Sequence, residues 1–442
     1  MQPFLRYIIP LCMLLPLAVT GQEQTDTTED SQADTRENPE IDGNTSTPVA
    51  VEHSIDYSPY QFLHLGANRI ELNGADWTPL CDIFTMASDT VINILHIGDS
   101  HIQAEGSTSC TRRLLQQRYG NAGRGLIIPF RMAGTNQPLD YAVSSDTPFS
   151  SSRLLKTPWP TDMGFTGIAT MPHSDEFRIS ISLKGCSAAS DFSCIRVFHS
   201  GATPDVTDVA SSIFTDLIFT TAQGNGYLDI NLFEPVTAAD ITFVHSEPLT
   251  IYGYELMSAN PGVIYSAIGN NGATYSTYNT VSSVGTGISP MQPQLVILSL
   301  GTNEAFGKVS DATMYRDIDI LVKDILRANP QTQILLTTPS ECQRTVSRRV
   351  RRKKKGKRRR YYTVRSRQVN TNIPRLRQVV LKYGRDHAIA TYDWYDVAGG
   401  AGSSSRWVSA SLMGKDHIHN TWTGYDLQGN LLYEALIQTI DR

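Results

Sequence analysis

The run Val91-Ile-Asn-Ile-Leu-His-Ile-Gly98 constrains the fold more than any other stretch of the chain. It is almost continuously apolar and then stops at Gly98-Asp99-Ser100. A strand that does not alternate between apolar and polar residues is one buried on both faces, as in a parallel sheet covered by helices. Thr108 to Tyr119 follows as an amphipathic helix. A serine on such a strand-to-helix turn carries its hydroxyl at the carboxyl edge of the sheet, where α/β active sites lie. The same turn brings backbone N–H groups and a helix N-terminus towards that oxygen. Ser100 is therefore the candidate nucleophile.

A second run of the same kind, Leu295-Val-Ile-Leu-Ser-Leu300, ends in Gly301-Thr302-Asn303-Glu304. From there strands and helices alternate. Asp311 to Ala328 has apolar residues at helical spacing (Met314, Ile318, Ile320, Leu321, Ile325) and stops at Asn329-Pro330. Gln333 to Thr338 reads as a strand, Ile373 to Tyr383 as a helix, Ala388 to Tyr392 as a strand and Tyr425 to Ile440 as the last helix. Ahead of Val91, a short strand near Ile70 and a helix with Trp77, Leu80, Ile83 and Phe84 on one face are expected to pack beside the sheet. This alternation predicts an α/β fold with a mostly parallel sheet and helices on both faces. Tyr141 to Leu256 differs in character. Short alternating runs such as Phe177–Leu183, Cys194–Phe198, Tyr227–Phe233 and Ile241–Val244, separated by Gly, Pro, Asp and Ser, predict an inserted β-sandwich.

The parts of an acyl-transfer site lie on these turns. A serine hydroxyl needs a base, and the base needs a partner that fixes its tautomer. Asp416 and His419, three residues apart just before the last helix, supply both from one loop. The Asn303 amide can donate to a developing oxyanion, and the Gly269-Asn-Asn-Gly272 turn offers a further backbone N–H at Gly272. Asp99 is expected to brace its turn, and His96, inside the strand, to be a hydrogen-bonded core residue. His101 lines the acyl pocket or serves structure. Asp416, His417 and His419 lack the converging third group that a metal site requires. Gly120-Asn-Ala-Gly-Arg-Gly125 has the glycines of a phosphate loop but follows a helix, which removes that reading. Its Arg124 is expected to reach the substrate cleft.

Ser100, Gly272, Asn303 and His419, in that order, resemble the four blocks of the SGNH (GDSL-type) hydrolase superfamily. Departures are His101, where many members have Leu, and Glu304, where many have Asp. Gly98-Asp-Ser-His101, Arg118-Tyr-Gly-Asn-Ala-Gly-Arg-Gly125 and Ala133-Gly-Thr-Asn136 look like the branch that contains peptidoglycan O-acetylesterases, whose members also carry a small β-rich domain between the Ser and Gly blocks. The resemblance implies a flavodoxin-like three-layer hydrolase interrupted by that domain. It implies Ser100 as nucleophile, His419 as base, Asp416 as its orienter, and an oxyanion hole of the Ser100 N–H, the Gly272 N–H and the Asn303 amide. The implied reaction is removal of O-acetyl groups from a glycan through an acyl-enzyme, without a cofactor. Acetyl transfer to a glycan, or glycan binding on a degenerate hydrolase scaffold, remain open alternatives.

Composition places these pieces. Arg6, the apolar stretch Tyr7 to Val19 and the small residues near Gly21 read as an export signal at 1–21, too short to span a membrane. An acidic, aromatic-poor spacer follows at 22–56, expected to stay disordered. The hydrolase is expected at 57–140 and 257–442, with the β-rich, possible glycan-gripping insert at 141–256. An exported chain tolerates disulfides, and the close pair Cys186 and Cys194 suggests a local clasp. Arg344 to Arg367 contains fourteen Lys or Arg and no acid. Without them the formal charge of −5 would be −19. A solvated hairpin, or contact with an anionic membrane or glycan, fits this segment. A nucleic-acid partner does not fit an exported chain.

Overall fold

The computed structural model describes residues 55–185, 191–352 and 360–441. The expected export signal, almost all of the acidic spacer, Cys186 and the tip of the basic segment lie outside the described residues.

A six-stranded sheet runs in the order Ile70–Glu71, Ala390–Tyr392, Gln333–Thr337, Leu295–Ser299, Val91–Gly98, Gly262–Gly269. Only the short Ile70–Glu71 edge is antiparallel. The five parallel strands, counted along the chain, lie in the order 2-1-3-4-5. This is the flavodoxin-like winding, in which the chain first steps one way from its starting strand and then the other. A crevice opens at the carboxyl ends where the direction reverses, between Val91–Gly98 and Leu295–Ser299. Gly98 pairs with Ser299 on one side and with Gly269 on the other, so three strands end level at that point.

The apolar runs are buried on both faces. Leu95 and Ile97 enter one core with Val296 and Leu298. Ile92 and Ile94 enter the other with Leu295 and Ile297. The Asp311–Ala328 helix is capped by the Ser310 side chain, which accepts from the Thr313 N–H. Its Met314, Ile318, Leu321 and Ile325 are buried, but Ile320 is 45 % exposed. Two residues along a helix turn a side chain by about 200°, so Ile320 cannot share the face of Ile318. The helix expected from Thr108 begins at Gly106, after a separate short turn of helix at Ser100–Gln103. The Gly262–Gly269 strand was legible only as a turn at its end.

The β-rich part holds two antiparallel sheets. One runs Phe219–Gly224, Tyr227–Val236, Phe192–Gly201, Leu249–Met257, Ile168–Pro172, Phe149–Arg153, with Gly125–Ile127 also paired to Leu249–Met257. The other runs Tyr141–Ser145, Glu176–Leu183, Ala238–Val244, Asp205–Ala210. Phe177, Ile179 and Ile241 of the smaller sheet share a core with Ile195, Ile230 and Tyr254 of the larger. The larger sheet thus starts before the boundary drawn at Tyr141. Its Ile168, Phe198 and Tyr252 also enter the core that contains Ile268, Tyr275 and Tyr278, so the two parts are packed together. Cys81, Cys110, Cys194 and Cys342 form no disulfide. Cys186, the other half of the expected clasp, is outside the described residues. The basic segment is a hairpin of Gln343–Arg352 and Arg360–Val369.

Candidate active site

The turn after Val91–Gly98 is held by Asp99. Its carboxylate accepts from the His101 N–H at 2.9 Å and from Asn303 Nδ2 at 3.1 Å. Burial raises the Asp99 pKa to about 6, against the hydrogen bond from His101 and the nearby His419. Asp99 therefore braces the turn and ties it to the neighbouring strand end. Ser100 opens the short helix.

The imidazole beside Ser100 arrives from the other end of the chain. Ser100 Oγ lies 2.9 Å from His419 Nε2. His419 Nδ1 lies 2.7 Å from Asp416 Oδ2. The second oxygen of Asp416 accepts from the Ile418 and His419 N–H groups at 3.0 and 3.1 Å, which fixes the loop that presents the ring. With Nδ1–H donating to Asp416, Nε2 is left to accept from the serine hydroxyl. The hydrogen bond to Asp416 raises the His419 pKa above its ordinary value, against burial. Burial pushes Asp416 up, but its bonds to His419 and the backbone outweigh this and hold it at about 2. His101 packs against His419 with ring centroids 5.2 Å apart, and its Nδ1 meets the Tyr425 hydroxyl at 3.1 Å. Burial lowers the His101 pKa to about 3, so its ring stays neutral beside His419. His96, as expected, is a core residue paired to Tyr265 and Ser299.

Asn303 and Gly272 meet at the same edge. Asn303 Nδ2 reaches Asp99 and also the Ala273 carbonyl at 3.0 Å, so it joins the Ser and Gly turns. An oxyanion at Ser100 would compete with Asp99 for one of these hydrogens. Gly272 has φ +84°, a left-handed conformation that favours glycine. Its turn is anchored by the Asn270 N–H on the Gly98 carbonyl and by the Asn271 N–H on Gln103 Oε1, at 3.2 and 2.7 Å.

Arg124 does not reach the cleft. It is buried, with Nη2 2.8 Å from Glu105, Nε 3.1 Å from Asp140, and its guanidinium 4.9 Å from the Tyr141 ring centroid. Arg112 joins the same two carboxylates. A buried guanidinium needs such partners, and Arg124 finds them beneath the helix rather than at the sheet edge.

Three residues were missed. Gln103, one turn past Ser100, holds the Asn271 N–H while its amide donates to Thr135 and Asn136. Leu155 belongs to the β-rich part yet borders Gly272, where an added Cβ would lie 3.7 Å from its Cδ2. Glu304 is buried and accepts from the Tyr275 N–H at 2.8 Å, fastening the segment after Gly272. The Gln103 position on the nucleophile turn was a usable signal; the other two depend on distant chain.

No family model matches the sequence, and no curated protein matches it. Among solved structures, one described as a peptidoglycan O-acetylesterase superposes with a TM-score of 0.66 at 20 % identity, covering 84 % of this chain and 97 % of that one. A lipase/acylhydrolase from Enterococcus faecalis matches at TM-score 0.28 and 17 % identity, over 40 % of this chain and 77 % of that one. A family two carbohydrate esterase from Cellvibrio japonicus matches at TM-score 0.28 and 11 % identity, over 68 % and 98 %. The first likeness shows that this chain shares the fold of that structure over most of both chains.

Proposed function

We propose that this chain is an exported serine esterase that removes O-acetyl groups from a cell-wall or other glycan. Ser100 attacks the acetyl carbonyl while His419 takes its proton, with Asp416 holding the imidazole and its developing charge. The Ser100 N–H, the Gly272 N–H and one hydrogen of the Asn303 amide receive the oxyanion. His419 then returns the proton to the sugar oxygen, and water, activated by the same ring, releases acetate from Ser100. The observation that carries this reading is the unbroken Ser100–His419–Asp416 line, with bonds of 2.9 and 2.7 Å, at the point where the sheet reverses direction.

A depression beside Asn303, whose lining includes Thr274, Ser276, Lys308 and Ser310, offers hydrogen-bonding groups to a hydroxylated substrate. The likeness to a peptidoglycan O-acetylesterase agrees with it. For export, the support is the N-terminal composition; among the described residues no helix is long and apolar enough to cross a membrane. The test is acetate release from a small acetyl ester and from acetylated glycans. Ser100→Ala should abolish both while leaving the circular dichroism spectrum unchanged. Turnover in that variant at the parental rate would remove Ser100 as nucleophile.

A further inference from the structure

The basic hairpin is rooted on the catalytic loop. The Gln343 N–H donates to the His417 carbonyl at 2.9 Å. On the opposite strand the Arg367 guanidinium donates to the Lys415 carbonyl at 2.8 Å and to the Asp416 carbonyl. The loop that presents Asp416 and His419 is thus clamped by both strands of the arm.

Pairing decides which side chains share a face. Thr345 faces Arg367, Ser347 faces Arg365, Arg349 faces Thr363 and Arg351 faces Tyr361. Paired residues point the same way, and so does every second residue along a strand. Arg365, Arg349 and Arg351 therefore continue, on one face, from the Arg367 that touches the catalytic loop. Tyr361 sits among them, 58 % exposed, with the Arg349 and Arg351 guanidinium groups 5.2 and 5.9 Å from its ring centroid. Hydroxyls of Thr345, Ser347 and Thr363 fill the places between.

We propose that this face holds an anionic glycan, a polymer with carboxylates along its length, and feeds it to Ser100. Three observations lead there. The row of guanidinium groups begins at the catalytic loop, so its occupant is continuous with whatever presents an ester to Ser100. Guanidinium groups match carboxylates in geometry as well as charge, and an aromatic ring with neighbouring hydroxyls suits a sugar. Charge is segregated, since the chain without its fourteen basic residues carries −19; a polyanion is repelled by the body and drawn to the arm. A lipid surface is the weaker match. Its apolar anchors would be Val346, Val350, Tyr362 and Val364, which lie on the opposite face with Arg344 and Arg348, whereas the face that runs outward from Arg367 carries no aliphatic side chain among the described residues. The substrate side of the inference rests on the esterase reading above; the binding side does not.

The experiment compares the parent with the triple variant R349Q/R351Q/R365Q, which spares Arg367. Binding to polygalacturonate, which has carboxylates but no ester, should weaken about tenfold in the variant and fall steeply with salt in the parent. With acetylated pectin the variant should show a raised KM and an unchanged kcat. Acetylated xylan and 4-nitrophenyl acetate should be turned over as by the parent. Equal polygalacturonate affinity of the two proteins, or none in the parent, overturns the proposal. So does preferential binding of the parent to phosphatidylglycerol vesicles, which assigns the arm to a lipid surface. A parent that binds polygalacturonate through the arm yet turns over no ester defeats the esterase reading and leaves the arm's polyanion site standing.

Discussion

At the residue scale the site is a balance of charges around one imidazole. His419 titrates above the ordinary histidine value of about 6.5 because Asp416 holds its protonated form. In the proposed mechanism His419 is the base, and a base acts only when neutral. The rate on a small ester should therefore fall as pH drops through a midpoint above about 6.5 and stay level on the alkaline side. Asp416→Asn removes the hydrogen-bonded charge and leaves burial, which lowers the pKa. The acid limb should move down, while the plateau drops by up to about 10⁴-fold. An unmoved limb in that variant would assign the pKa to another group. Ser100, Asp416 and His419 were legible in sequence because each sits on a short local turn whose chemistry its neighbours announce. Arg124 was misread because glycines surround it, while the carboxylates that hold it lie 19 and 16 residues away, at Glu105 and Asp140. Spacing along a chain says little about which buried charges will pair.

At the element scale, the strand ends must come very close to the nucleophile turn. A Cβ on Gly269 would overlap the backbone of Gln103, one turn beyond Ser100. Gly269→Ala should cost about 1–3 kcal/mol of stability in chemical denaturation. It should also lower kcat, since Gln103 is the residue that holds the Asn271 N–H of the Gly272 turn. A variant with parental stability and rate would mean that the edge is slack. The central strands and long helices were readable because burial on two faces, or on one stripe, writes itself into an apolar period. Helix Asp311–Ala328 was bounded in sequence as it is in the fold, since Ser310 and Pro330 punctuate it. Gly262–Gly269 was not read as a strand. It follows the last β-rich strand, Leu249–Met257, after only a short link, and its Tyr265 and Ser266 interrupt the apolar run.

At the scale of the whole molecule, the β-rich part and the parallel sheet meet at the catalytic edge. Leu155, carried by the former, walls the Gly272 turn of the latter. Shortening it should admit a longer acyl chain. Leu155→Ala should raise the ratio of butyryl to acetyl ester turnover by about tenfold, the scale on which an apolar pocket discriminates a few methylenes. An unchanged ratio would place the acyl wall elsewhere. None of this meeting was readable from spacing, because it joins residues more than a hundred positions apart. The path of the chain through the two parts has a further consequence. Gly125–Ile127 leads towards the β-rich strands and is hydrogen-bonded to Leu249–Met257, which leads away from them, so departure and return lie side by side. The parallel strands thus see the intervening chain as a closed loop. A change of length in its outer turns would leave the spacing of the parallel strands around Ser100 as it is.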